Sequence, residues 1–167
     1  MNDPLLNISY GLFVITANKD GRDNGCIADA FQQVTSLPEQ VSLCLNKSDF
    51  TCDLIVSTGK FTVSIISENA DFELFRTFGF QSGRNIDKFA NFGAVRRLPN
   101  DTLAIIAGTN SYLTVNVNQT IDLGTHLLFI GKVDEKEVLN DEPSMTYAYY
   151  RKHMRKSLAD NTDGSHI

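Results

Sequence analysis

Residues 24–51, NGCIADAFQQVTSLPEQVSLCLNKSDFT, carry the pattern on which the fold turns. Val41, Leu43 and Leu45 alternate with Ser42, Cys44 and Asn46. This period of two puts one face of a strand in a core and the other outside it. Asn46-Lys47-Ser48 follows at once. Phe50, Leu54 and Ile55 then recur at roughly helical spacing up to Gly59, a helix stop. Ser48 is the expected N-cap, its hydroxyl accepting from a free N–H of the first turn. A strand therefore runs into a helix start through a Lys-Ser corner. Free N–H groups, the positive end of the helix dipole, the Lys47 ammonium and the hydroxyls of Ser48 and Thr51 converge there. That combination suits a phosphate. It equally describes an ordinary capped helix beside a solvated lysine.

On the N-terminal side, residues 10–17 (YGLFVITA) are rich in β-branched and aromatic side chains, and Asn18-Lys19-Asp20-Gly21 and Asn24-Gly25 are turn signals. Residues 26–34 read as the returning strand of a hairpin, and Pro38 makes 36–40 a loop. On the C-terminal side, 60–67 (KFTVSIIS) reads as a strand. Phe72, Phe75 and Phe78 form the stripe of a short amphipathic helix, of the kind that usually faces a core. Residues 81–85 are polar and loop-like, and 86–89 suggest one helical turn. The last third is β-rich: 103–108 is a short apolar strand, Leu113, Val115 and Val117 alternate with polar residues, and Gly124 separates them from a strand over 126–133. Residues 132–141 are charged and expected to be exposed. Tyr147, Tyr149 and Tyr150 then meet a basic cluster, Arg151, Lys152, Arg155 and Lys156. About seven strands, adjacent in sequence, with two or three short helices give a β-dominated α+β domain. Its antiparallel sheet closes as a barrel or sandwich over residues 1–158, and 159–167 form a tail.

The bulk properties narrow the function. The chain of 167 residues is 42% apolar and 21% charged, enough for one globular core. A net charge of −5 argues against a general nucleic-acid binder, which needs a basic footprint. No apolar run approaches the roughly 20 residues of a membrane span, and the N-terminus has no secretory pattern. Cys26, Cys44 and Cys52 form no CxxC pair and no metal-spaced cluster with His126, His153 or His166. Reduced thiols in the cytoplasm are the expectation, with Cys26 and Cys44 as small core residues.

Several blocks, taken in order, resemble a known family. They are 24–35 (NGCIADAFQQVT), the Pro38 loop, Leu45-Asn46-Lys47-Ser48 with Thr51, Gly59-Lys60-Phe61, Asp87-Lys88-Phe89 and Gly124-Thr125-His126. Together they are similar to the flavin-reductase-like FMN-binding split-barrel proteins, including the flavin modules found beside rubredoxin domains, over residues 8–150. The resemblance implies an antiparallel split β-barrel with short peripheral helices. It implies that Ala28, Asp29, Ala30, Phe31, Gln33, Val34 and Thr35 line the isoalloxazine ring and ribityl chain. Asn46, Lys47, Ser48 and Thr51 would hold the phosphate, with Lys88 as a second contact. His126 would lie on the nicotinamide side, positioning the hydride donor or tuning the flavin. Three positions depart from the family: Ile27 where Thr is frequent, Asp29 where Asn or Ser is, and Thr125 where Gly-Asp-His is common. An acid facing a flavin would disfavour its anionic reduced form, since like charges repel. Asp29 therefore either points away from the ring or donates to it when protonated.

The resemblance further implies an FMN-dependent oxidoreductase, passing reducing equivalents from NAD(P)H or a reduced partner to an acceptor. It also implies a homodimer with FMN at the interface. No Gly-x-Gly-x-x-Gly fingerprint is present, so NAD(P)H would be a transient substrate. A separate rubredoxin or another electron carrier is a candidate partner, with the basic cluster at 151–156 as its docking surface or merely a solvated run. The alternatives are an FMN-binding carrier without reductase activity, or the same barrel around haem or a pyridoxamine phosphate.

Overall fold

The computed structural model describes residues 3–154; the expected tail at 159–167 and the basic residues Arg155 and Lys156 lie outside the described residues. A short 3-10 turn at Pro4–Asn7 leads into β1 (Phe13–Lys19) and β2 (Arg22–Ala28), then β3 (Phe31–Ser36) and β4 (Glu39–Asn46). Helix α1 (Phe50–Thr58), β5 (Lys60–Ile66) and helix α2 (Phe72–Gly79) follow. A small pair, β6 (Val95–Arg97) and β7 (Leu103–Ile105), precedes the long hairpin β8 (Thr109–Asp122) and β9 (His126–Val138), and helix α3 (Tyr147–His153) comes last.

Seven strands form one antiparallel sheet in the order β2-β1-β5-β8-β9-β4-β3. Its two edge strands, β2 and β3, are consecutive in the chain and joined by only Asp29 and Ala30. A two-residue link spans at most about 10 Å, so the sheet must roll until its edges nearly meet. Phe13 of β1 and Phe31 of β3, from opposite margins, accordingly touch edge to face with ring centroids 4.9 Å apart. The edges do not pair, which makes the barrel split. Residues 26–34, read as one strand, are thus two strands with different partners. β2 pairs with β1 up to Ala28, and β3 pairs with β4 from Phe31. Continuous β-propensity hides the break because the chain must leave one edge to reach the other.

Both faces of the rolled sheet are covered. Ile15, Leu43, Leu45, Phe61, Val63 and Phe129 fill the interior, and Leu54 and Ile55 of α1 pack with them. Val14 and Ile66 point outward to a second cluster with Leu74, Phe75 and Phe78 of α2 and Tyr150 of α3. Alternate residues of β1 therefore serve two cores, as a period of two requires. Fully burying each of Phe61, Phe75, Phe78 and Phe129 contributes roughly 2–3 kcal/mol.

The helix ends show why α1 sits where it does. Asp49, not Ser48, is its N-cap: the carboxylate accepts from Thr51 N at 2.9 Å, while the Ser48 hydroxyl turns back to Asn46 Oδ1. An ionised cap accepts more strongly than a hydroxyl. Gly59 closes the helix in the left-handed region at φ 69°, as its lack of a Cβ allows. Two elements went beyond the sequence expectation. The hairpin β8–β9 is longer, because the charged residues after Val133 continue the strand with exposed faces to Val138. Residues 147–153 form a helix capped by Thr146.

Candidate functional site

A cavity of about 370 Å³ lies outside the barrel, between β2, the corner after β4, α2 and α3. One wall is apolar and aromatic, with Leu12, Ile27, Phe75, Phe78, Tyr147 and Tyr150. The opposite wall is polar and comes from the Lys-Ser corner (Asn46, Ser48, Asp49) together with Phe50. Gln81, Ser82 and Gly83 close one side. A planar apolar body with a polar end matches this division of chemistry.

The corner is tightly organised by its own bonds. Asn46 Oδ1 accepts from Ser48 N and Ser48 Oγ, both at 2.9 Å, and Asn46 O accepts from Asp49 N at 3.0 Å. Lys47 N donates to Thr125 O at 3.0 Å. The Lys47 ammonium pairs with Asp122 at 2.7 Å; that bond, with Gly124 N–H, holds the Asp122 carboxyl below its usual range. Thr51 is fully buried, and its hydroxyl accepts from Asn24 Nδ2 at 2.9 Å.

Lys88 enters from the turn after the 81–86 loop and is 6% exposed. Its ammonium donates to Gly25 O at 2.7 Å and Phe78 O at 3.2 Å. β2 is an edge strand, so its outward carbonyls lack a strand partner. Phe78 lies in the last turn of α2, whose carbonyls lack helical donors. One ammonium thus satisfies both and sits favourably at a helix C-terminus. Burial lowers its pKa from the ordinary lysine value, opposed by neighbouring Cys26 and Asp49. Cys26, also on the cavity wall, has its thiol pushed well above the ordinary value by burial and then by Asp49. At neutral pH that thiol is protonated and a poor nucleophile.

Among the described residues Asn24 Oδ1 is buried without a hydrogen-bond partner, against Gly83; a Cβ on Gly83 would stand 1.9 Å from it. Only glycine lets the 81–86 loop lie this close.

Of the residues expected to form the site, Asn46, Ser48 and Lys88 line the cavity. Lys47 and Thr51 adjoin it through the same corner. His126 stands opposite Asn46 in the β4–β9 ladder, its Nδ1 2.7 Å from Thr125 Oγ1. Ala28 faces the barrel interior. Asp29 and Ala30 form the link between the sheet edges, where Asp29 raises the pKa of the Cys44 thiol after the effect of burial. Phe31, Gln33, Val34 and Thr35 lie on β3, exposed beyond Phe31. Gln33 Nε2 donates to Thr35 O at 3.0 Å within that strand's turn. The structure therefore separates a cavity group from a β3 group. Sequence reasoning passed over Phe75, Phe78, Tyr147 and Tyr150 as cavity residues. The only signal was i, i+3 aromatic spacing, which a core helix shares.

Comparison with known proteins gives a consistent picture. The family model described as the flavin reductase like domain matches residues 5–157. High molecular weight rubredoxin of Moorella thermoacetica is 40% identical over 147 residues, 87% of this chain but 63% of that protein. The chain therefore spans under two thirds of that relative. Ferric-chelate reductase (NAD(P)H) of Archaeoglobus fulgidus is 34% identical over 145 residues, 86% of this chain and 84% of that one. Among solved structures, an NADH:FAD oxidoreductase of Streptomyces globisporus C-1027 superposes with TM-score 0.75 at 20% identity, covering 83% of this chain and 81% of that one. Flavoredoxin from Methanosarcina acetivorans gives 0.70 at 22% identity, over 78% and 69%. These two share the fold.

Proposed function

The chain belongs to the flavin reductase like family, and from that premise we propose that it is an FMN-dependent oxidoreductase. It takes reducing equivalents from NAD(P)H or a reduced protein partner and passes them to an acceptor. The observation that carries the reading is the cavity with an aromatic wall, a polar, hydroxyl-bearing corner and the Lys88 side chain in its lining. When bound, a flavin supplies the two-electron chemistry, and the protein supplies placement and electrostatics.

The chain's own residues have distinct tasks. Asn46, Lys47 and Ser48, with Thr51 behind them, hold the phosphoryl end. Lys88 keeps a buried positive charge beside the cavity, favouring a ligand that gains negative charge on reduction. Phe75, Phe78, Tyr147 and Tyr150 keep water from the apolar wall. Ala28, Asp29, Ala30, Phe31, Gln33, Val34 and Thr35 form the second surface of the site, along β3. His126, across the ladder from Asn46, orients the hydride donor. Cys26 stays a protonated wall residue.

β3 needs a cover to do this. Val34 is 41% and Leu37 94% exposed, and Ile121 and Leu123 at the β8–β9 tip are also exposed. A second copy placed over this surface gives a homodimer with the flavin at the interface. Sedimentation showing a monomer that binds FMN at full affinity would remove that part of the reading. Three free cysteines fit a cytoplasmic setting, and no helix among the described residues is long and apolar enough to cross a membrane.

The test is a visible spectrum of the purified protein followed by anaerobic titration with NADH and NADPH. Yellow protein bleached by a nicotinamide is the expected result. A colourless sample that takes up no FMN overturns the proposal, and a Soret band would replace flavin by haem. Bleaching only by dithionite or a reduced protein would favour the electron-carrier reading, to which the 40% identity with a rubredoxin protein lends weight.

A further inference from the structure

The basic run that begins at Arg151 has no task in the proposed function. Within α3, two cation-and-ring pairs form at i, i+4 spacing: the Arg151 guanidinium lies 4.2 Å from the centre of the Tyr147 ring, and His153 stacks on Tyr149 with centroids 4.3 Å apart. The two pairs differ in what they border. Tyr147 lines the cavity, whereas Tyr149 is not part of its lining. Arg151 is exposed, so its guanidinium stands at the rim of the aromatic wall.

The other cations around the cavity are engaged. Lys47 pairs with Asp122, Arg84 pairs with Asp53, and Lys88 donates to two carbonyls. Among the described residues Arg151 has no carboxylate or carbonyl acceptor. Stacking on a ring occupies the face of a guanidinium. Its five N–H donors lie in the plane, in a fork that fits two oxygens of a phosphoryl group. The Tyr147 ring also restricts the Arg151 side chain before a ligand arrives, which lowers the ordering cost of binding.

The position of this fork selects its ligand. Asn46 and Ser48 of the Lys-Ser corner lie on the wall opposite Tyr147, and His126 pairs with Asn46 in the ladder. A phosphoryl group bound at Arg151 is therefore a second one, carried by a second molecule. A reduced nicotinamide dinucleotide is the second molecule that the proposed function brings to the flavin. Its nicotinamide goes toward the His126 side, so its adenosine end trails toward the other wall. The 2′-phosphate that distinguishes NADPH from NADH is on that trailing end.

We propose that Arg151, held in place by Tyr147, binds the 2′-phosphate of NADPH and makes this chain select NADPH over NADH. This rests on the reading above, in which a nicotinamide reduces the bound flavin. Arg151 stands at the opposite end of the dinucleotide from the transferred hydride, so it acts on KM and leaves kcat alone.

The test is anaerobic bleaching of the FMN-loaded full chain by NADPH and by NADH, followed in a stopped-flow instrument. The wild type should show a KM for NADPH at least about tenfold below that for NADH, the worth of one charged contact. Arg151→Ala should raise the NADPH value about tenfold and move the NADH value less than about twofold, with kcat steady for both. Arg151→Lys should recover part of the loss, as a charge without a fork. A readout free of turnover is calorimetric titration with adenosine 2′,5′-bisphosphate and adenosine 5′-monophosphate. The wild type should favour the bisphosphate, and Arg151→Ala should erase that margin. If the wild type treats NADPH and NADH alike, or if Arg151→Ala keeps the preference, the inference is wrong while the flavin reading stands. An equal loss of both dinucleotides in Arg151→Ala overturns it as well, since α3 would then be acting through structure alone. A flavin-loaded wild type that neither dinucleotide bleaches overturns both this inference and the nicotinamide reading beneath it.

Discussion

Lys88→Met isolates the energetic role of the one charged side chain that is buried among the described residues. Methionine keeps the apolar stem and removes only the donors. Two buried acceptors, Gly25 O at 2.7 Å and Phe78 O at 3.2 Å, then lose their partner. A buried carbonyl left unpaired costs about 1–3 kcal/mol, so two give roughly 2–6 kcal/mol. Against this, the substitution removes the desolvation cost of an ammonium that is 6% exposed, the same cost that lowers its pKa. That recovery brings the expected net loss to about 2–3 kcal/mol. For a domain of this size the loss corresponds to a fall in Tm of roughly 5–10 °C. Calorimetry on the flavin-free protein is the assay, because any ligand would add its own stabilisation. A fall of under about 1 °C would falsify the claim that this ammonium ties the β2 edge to the end of α2. Lys88 would then matter only to a bound ligand.

Other outcomes follow from the same contacts. Lys47→Ala should weaken FMN binding more than Lys19→Ala, whose ammonium among the described residues reaches only Ser57 at 3.4 Å; equal affinities in a binding titration would remove Lys47 from the phosphate site. Thiol labelling at pH 8 should modify Cys44 first, since Cys26 and Cys52 are buried, and Cys44→Ser should abolish the fast phase. Burial, helped by Asp53, pushes the Cys52 pKa up to about 11. The folded state thus holds a proton that the unfolded state releases near 9, and this stabilisation, intact below about pH 9, drains away up to about pH 11. Tm should therefore decline across that window less steeply in Cys52→Ala than in the wild type, and parallel declines would refute the assignment. Gly131→Ala should cost about 1–3 kcal/mol by overpacking, as its Cβ would meet Val115 Cγ1 at 2.3 Å and Asn116 O at 2.8 Å; an unchanged denaturation midpoint would mean the β8–β9 hairpin yields there.

The period of two and the helical stripes were legible because burial imposes them directly. Leu127, Phe129 and Val133 pack on the inner core as their spacing implies, and Phe75 and Phe78 on the outer one. What escaped was set by tertiary geometry. The division of residues 26–34 depends on where the sheet's edges lie, which no local pattern encodes. The cap at Asp49 rather than Ser48 depends on which of two neighbouring oxygens the turn aims at Thr51 N. Arg84 stood in a polar loop with no periodicity, and its bonds to Ser48 O and Asp53 depend on how that loop packs against the rest of the fold. Lys88 was visible as a candidate, but not its two carbonyl partners, which come from elements 63 and 10 residues away.

The two edges of the sheet are treated in opposite ways, and that contrast locates the site. An edge strand exposes unpaired N–H and C=O groups and must be blunted or covered. At β2 the covering is internal: Lys88 takes Gly25 O, Arg22 holds the 81–86 loop, and α2 packs alongside, with Gly79 against Ile27. The cavity is the space this covering leaves. At β3 no element of the described chain does the same; its residues after Phe31 are exposed, and Leu37 at its turn is 94% exposed. Lys136 pairs with Glu39 at the start of β4, one strand in from that edge, leaving β3 itself open. Because Asp29 and Ala30 join the two edges directly, whatever covers β3 must approach the β2 side within a few residues. The second copy proposed to seat on β3 would therefore bring its own surface toward the corner, so in that arrangement loss of the association and loss of flavin affinity should occur together. Leu37→Asp together with Val34→Asp puts that to the test. If the double variant sediments as a monomer and still binds FMN as the wild type does, the site is complete within one chain and β3 has no part in it.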